Sequence, residues 1–252
     1  MFTAKVSFSK AGENLEAMAE RVIELLAAWD KNGQIIGNSW PIADIGGALE
    51  AFVQLPAVDS LGAVHNNVWA TRAVEALLPA SYSVTVLGRD PCRVGLCACP
   101  SRSAFVLFTH FLANGLPPVR CLDCFDPVAL YTLPHPEGEE YLELLQWAAD
   151  YSACDTLQML STTGERFGEQ QLWRHDSSLS RHGRSLCSQL ELLTGVPVYY
   201  YLHKCRSRSR ASELQRRCPS CGSEWRLDPR LHLFDFQCRK CRLLSAIARD
   251  VA

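Results

Sequence analysis

The chain has 252 residues, 48% hydrophobic and 21% charged, with a formal net charge of −2. That balance excludes a disordered chain, and no run of eighteen apolar residues is present to form a membrane-spanning helix. Twelve cysteines would suit a disulfide framework in a secreted protein, but the first eighteen residues, MFTAKVSFSKAGENLEAM, lack the basic start, apolar middle and small-residue cleavage site of a secretory signal. The expected compartment is the cytoplasm, and cysteines clustered in a cytoplasmic chain point to metal binding.

In chain order, residues 2–8 alternate like a strand, and 11–30 place Leu15, Met18, Ala19, Val22, Ile23, Leu25 and Leu26 at helical spacing. A stop at Lys31-Asn32-Gly33 leads to an expected strand at 34–40, a Gly46-Gly47 turn and a second strand at 48–55. Residues 66–78 read as a helix and 81–88 as a closing strand. This β-α-β-β-α-β order predicts an α+β fold whose first domain, residues 1–90, is ferredoxin-like: four antiparallel strands with two helices on one face. Its single histidine, His65, reads as a cap or surface group.

Residues 91–203 form an expected middle domain, cysteine-containing and mainly helical. Cys97-Ala-Cys99 and Cys121-Leu-Asp-Cys124, with a strand expected at 104–109 between them, could close a tetrahedral metal site. Cys92 could replace a ligand of the first pair. A thioredoxin-like redox reading of Cys121 and Cys124 requires that the pair open a helix, and Pro127 biases Asp126 away from the helical region. Plain buried cysteines are the third reading. Helices follow at 138–150 and 177–193, with a short one in STTGERFGEQQL. PVYYYLH then reads as a strand whose tyrosines 199–201 either stack on nucleic acid bases or pack in the sheet.

The most specific signal lies in residues 204–252, where Cys218 and Cys221 are followed after sixteen residues by Cys238 and Cys241. A Cys-x-x-Cys turn aims both sulfurs at one point, and two such turns make a four-thiolate zinc site with no position left for water or substrate. Gly222 suits a left-handed turn after the first pair. Arg242 stands at the same place after the second pair, which predicts a less ideal knuckle. Short strands between the pairs complete a zinc ribbon, too small to fold without its metal. One Zn²⁺ is expected here, and a second at the Cys97, Cys99, Cys121, Cys124 set if that set closes.

These residues resemble an uncharacterised bacterial family described as zinc-ribbon-containing, candidate nucleic-acid-binding proteins. The resemblance runs through CLDCFDPVALYTLP, YSACDTLQML, GERFGEQQL, SSLSRHGRSLCSQLELLTGVPVYYYL and RRCPSCGSEWRL, roughly residues 91–246. It implies a C-terminal ribbon liganded by Cys218, Cys221, Cys238 and Cys241 and a role with nucleic acid. It brings no defined reaction and no catalytic residues.

From Lys204 to Arg242 the chain carries eleven basic and four acidic residues, a net +7 that leaves −9 for the rest. Such a basic module suggests an anionic partner, nucleic acid being the usual one. The expected phosphate contacts are Arg206, Arg208, Arg210, Arg216, Arg217, Arg239, Lys240 and Arg242. The alternatives are a solvated linker or a tail docked on its own chain. A different function class is a protein–protein adaptor or an antitoxin-like or immunity-like inhibitor using the acidic body. No phosphate-binding glycine loop, HExxH or nucleophile elbow occurs, so no enzyme is expected. The acid–base groups Glu165, Arg166, Glu169, Arg174, His175, Asp176 and His182 read as exposed helix faces.

Overall fold

The structure is a computed structural model that describes residues 1–9, 14–37, 39–93, 95–113, 115–134, 140–160 and 162–252. It is mixed α+β, with two sheets and six α-helices among the described residues. No described helix is long and apolar enough to cross a membrane. The chain divides into two compact units: Met1–Ala98 with Asn114–Pro117 and Asp126–Leu142, and Cys99–Ala113 with Pro118–Phe125 and Glu143–Ala252.

The first unit is built from β1 (Phe2–Ser9), α1 (Leu15–Lys31), β2 (Ile42–Ile45), β3 (Ala48–Leu55), α2 (Val68–Leu77) and β4 (Ser81–Arg89). Its sheet runs β2-β3-β1-β4, every neighbour antiparallel. Period-2 alternation turns Ala4, Val6 and Phe8 of β1 and Leu49, Ala51, Val53 and Leu55 of β3 into the core. Helix α1 begins where the Asn14 side chain accepts the Glu16 amide, and it buries Met18, Val22, Leu25, Leu26 and Trp29 against that face. The expected residues 11–13 of this helix lie outside the described ones. Glycines 46 and 47, both at positive φ, form the two-residue β2–β3 turn.

One expectation fails here. The strand foreseen at 34–40 lies instead at 42–45, and Ile36 makes only an isolated bridge to Gln54. The cause is a buried amide network. Asn32 donates to the Gln34 side chain and to the His65 carbonyl, both at 2.8 Å, and Gln34 donates to the Ser60 carbonyl and the Asn66 side chain, both at 2.9 Å. These bonds pin the stretch as a turn before it can extend.

Half-buried Asp30, in the last turn of α1, has its carboxyl pushed up to about 7 by burial, with Lys31 pulling weakly the other way. Its ordinary value is near 3.8. Between the two, the folded state holds a proton that the unfolded state has lost, so stability falls as pH rises through that window. Asp30→Asn should therefore flatten the pH dependence of unfolding from pH 4 to 7. It should also raise stability at pH 7.5 by on the order of 1–2 kcal/mol, the full shift being discounted for partial exposure. Urea titrations at the two pH values check this.

The second unit holds β5 (Phe105–Leu107), β6 (Val119–Cys121), α3 (Leu142–Leu160), α4 (Glu165–Trp173), α5 (Ser178–Thr194), β7 (Val198–Leu202), α6 (Arg210–Leu214), β8 (Arg226–Leu231), β9 (Phe234–Cys238) and β10 (Leu243–Ser245). Six strands form one sheet in the order β6-β5-β7-β10-β9-β8, with β5, β7 and β10 parallel. Strand β7, from the expected middle domain, pairs with β10, from the expected ribbon, so the two stretches share this sheet. All five residues of β7 are buried. Tyr199, Tyr200 and Tyr201 are core, and the stacking reading of this strand is lost.

Helix α5 covers the sheet at very close range. A Cβ on Gly183 would meet the Tyr200 ring at 2.2 Å and the Trp147 indole at 2.5 Å, so only glycine lets α5, α3 and β7 approach in this way.

Candidate metal centres and the basic segment

The four sulfurs of Cys218, Cys221, Cys238 and Cys241 lie within 4.8 Å of one another. Cys221 and Cys238 Sγ are 3.7 Å apart, against the roughly 3.8 Å expected for sulfurs about 2.3 Å from a shared tetrahedral ion. The turn after the first pair is closed by the Gly222 amide donating to the Cys218 carbonyl at 2.9 Å, with Gly222 at φ +71°. Burial pushes the Cys218 thiol up and Cys238 to about 12, whereas hydrogen bonds from Ser223 bring Cys221 down to about 6. Four sulfurs this close repel one another as thiolates, and a bound cation would neutralise them.

The second knuckle makes its turn without a glycine. Arg242 takes the left-handed conformation, φ +53°, that glycine supplies in the first. Its guanidinium donates to both Glu191 carboxylate oxygens at 3.0 and 2.9 Å and to the Arg239 carbonyl at 2.9 Å. That bidentate pair offsets the roughly 1–2 kcal/mol a side chain costs in this region.

A second group forms from Cys97, Cys99, Cys121 and Cys124, again with all sulfurs within 4.8 Å. Phe125 follows Cys124 at φ +64°, and its amide donates to the Cys121 carbonyl at 2.9 Å, the same closure that Gly222 makes. The Cys121–Cys124 pair opens no helix, which removes the thioredoxin-like geometry. Cys92 is exposed and outside the group. Each group offers four sulfurs and could hold one metal ion.

Sequence reasoning missed the residues that tie these turns together. His232, at the tip of the β8–β9 hairpin with φ +53°, has Nε2 2.7 Å from the Leu122 carbonyl inside the Cys121–Cys124 turn. Its ring stacks on Phe125 at 5.3 Å. Asp123 accepts the Ser103 amide at 2.8 Å and the Ser103 hydroxyl, and these bonds hold its carboxyl below the usual range. A histidine 110 residues from its partner carries no local signal.

The basic segment is largely spoken for within the second unit. Arg206 pairs with Glu165 and Glu169, and Arg217 with Glu224 at 2.8 Å. Arg210 donates to the Val251 carbonyl. Arg216 pairs with fully buried Glu213 at 2.8 Å, donates to Ser245 and the Ala246 carbonyl, and lies 4.3 Å over the Phe236 ring. With Arg242 on Glu191, five of the eight expected phosphate contacts have internal partners. Arg208, Arg239 and Lys240 are exposed and pair with no acid among the described residues. Of the proposed acid–base groups, Glu165 is taken by Arg206, and Arg174 and Asp176 pair with each other at 2.9 Å.

Sequence comparison places this architecture among relatives. An "Uncharacterized protein" of Haemophilus influenzae is 32% identical over 243 residues, covering 93% of both chains. The chain belongs to the same family as that protein. A second Haemophilus influenzae "Uncharacterized protein" is 37% identical over 144 residues, covering 57% of this chain and 70% of its own. Family models described as domains of unknown function match three successive stretches: DUF8589 over residues 1–85, DUF2310 over 99–203 and DUF8594 over 207–251. The DUF2310 stretch carries Cys99, Cys121 and Cys124, and the DUF8594 stretch carries all four cysteines of the other group.

Proposed function

We propose that this family member is a cytoplasmic, non-catalytic protein that carries two structural Zn²⁺ ions and binds nucleic acid through its C-terminal zinc ribbon. Four-sulfur sets suit zinc and leave no coordination position for a substrate or an activated water. A reducing compartment keeps such thiols available. The order β2-β3-β1-β4 supports reading the first unit as ferredoxin-like.

The observation that carries the nucleic-acid reading is the pair Arg239-Lys240, exposed inside the Cys238–Cys241 turn and unpaired among the described residues. Exposed Arg226 and Arg230 on β8, an edge strand, add charge to the same module. Cations without internal acids are free to neutralise phosphates, and such contacts weaken with salt in proportion to their number.

Fluorescence anisotropy with single-stranded DNA, RNA and duplexes at about 50 mM salt tests this. Binding is expected, and Arg239→Glu with Lys240→Glu should weaken it and lower the log–log salt slope by about 1.4–1.8, with bound zinc unchanged. Absence of binding to every polymer under those conditions would end the reading. Arg216 is the wrong residue to test, because its substitution empties a buried ion pair.

A further inference from the structure

One groove in the second unit fits neither a purely structural nor a purely electrostatic role. It encloses about 440 Å³, within the range of small-ligand sites, and lies against both cysteine turns. Asp123, from the Cys121–Cys124 turn, and Arg239, from the Cys238–Cys241 turn, line it together with Ser103 and Gln237. Leu231 and Tyr199 supply apolar wall.

We infer that this groove seats one unstacked nucleobase of a single-stranded nucleic acid, with Arg239 placed for the adjoining phosphate or for the base edge. The inference rests on the nucleic-acid reading above and adds to it a site and a strand preference. The lining groups match the chemistry of a base. An ionised carboxylate has about four acceptor positions; Ser103 takes one on each oxygen of Asp123 and the Cys121 thiol a second on Oδ2, which leaves one on Oδ1 for an exocyclic amine. The Gln237 side chain makes no hydrogen bond among the described residues, and its amide offers a donor and an acceptor side by side. Carboxylate, amide and guanidinium are the side chains that read base edges. A paired base inside a duplex cannot enter a pocket of this size, whereas single-stranded bases splay out and are read in this manner.

Two variants separate the site from general attraction. Gln237→Ala should lower affinity for the preferred homopolymer about 5- to 100-fold, flatten the ranking among homopolymers and leave the salt slope unchanged. Arg239→Ala should weaken all sequences and reduce the slope by about one. Native mass spectrometry of both variants confirms that metal content is kept. Photo-crosslinking of the unaltered protein to iodouracil-substituted single strands needs no variant and should label peptides carrying Leu231 or Tyr199.

An unchanged homopolymer ranking in Gln237→Ala, equal affinity for duplex and single strand, or crosslinks confined to other peptides would each overturn the groove while leaving ribbon binding intact. Absence of binding by the unaltered protein overturns both. Loss of metal from Gln237→Ala passes the decision to the crosslinks.

Discussion

Cys238→Ser is expected to lower bound zinc from two ions to one and to abolish amide protection across residues 226–245. The size of the effect follows from where the turn sits. Cys238 ends β9, β9 pairs with β10, and β10 is the parallel neighbour of β7, so a metal held there would organise the outer half of a six-stranded sheet. Structural zinc contributes roughly 10–16 kcal/mol apparent, and a short strand pair has too little apolar surface to replace it. Buried Trp225 and Phe236, whose rings pack 5.2 Å apart, should lose their fixed environment and shift tryptophan emission to the red. Cys92→Ser is the control, being exposed and outside both groups. A Cys238→Ser protein that retained two zinc ions and native protection would refute the zinc reading of this group.

Glu213→Gln should destabilise the second unit by about 3–5 kcal/mol in urea unfolding. The Glu213 side chain is fully buried and bridges Lys204 at 2.7 Å and Arg216 at 2.8 Å, both of them largely buried. Removing the carboxylate leaves two cations in a low-dielectric site without a counter-charge, and the cost is their desolvation rather than the lost contact. Exposed Arg217 and Glu224 make an equally short pair, yet Arg217→Ala should cost under about 1 kcal/mol, since water screens it. Equal effects from the two substitutions would mean that the buried triad does not anchor α6.

The buried triad also shows where the charge reading of the sequence went astray. A count of +7 treats each arginine as free, but charge is a property of a neighbourhood. Glu191 and Glu165 come from helices remote in sequence, and Glu213, near the end of α6, meets Arg216 just beyond that helix. Of the eight predicted phosphate contacts, four therefore became internal ion pairs and Arg210 donates to a backbone carbonyl, and what remained was Arg208 and the Arg239-Lys240 run within the last cysteine turn. Arg242 illustrates the same point for the backbone. Sequence pattern assigns left-handed turns to glycine, and only the Glu191 carboxylate explains why an arginine holds one.

Much was legible in the sequence. Spacing alone named the eight cysteines that converge, because a gap of one or two residues limits how far apart two sulfurs can lie and the bite is a local property. Period-2 and period-3.6 patterns located most strands and helices, since burial on one face imposes those periods on the sequence directly. Tertiary structure alone decided the rest: the parallel pairing of β7 with β10, the burial of the three tyrosines, the His232 contact with the Cys121–Cys124 turn and the groove between Asp123 and Arg239. Each of these joins residues distant in sequence, and their meeting depends on how whole elements pack, which no short-range pattern encodes.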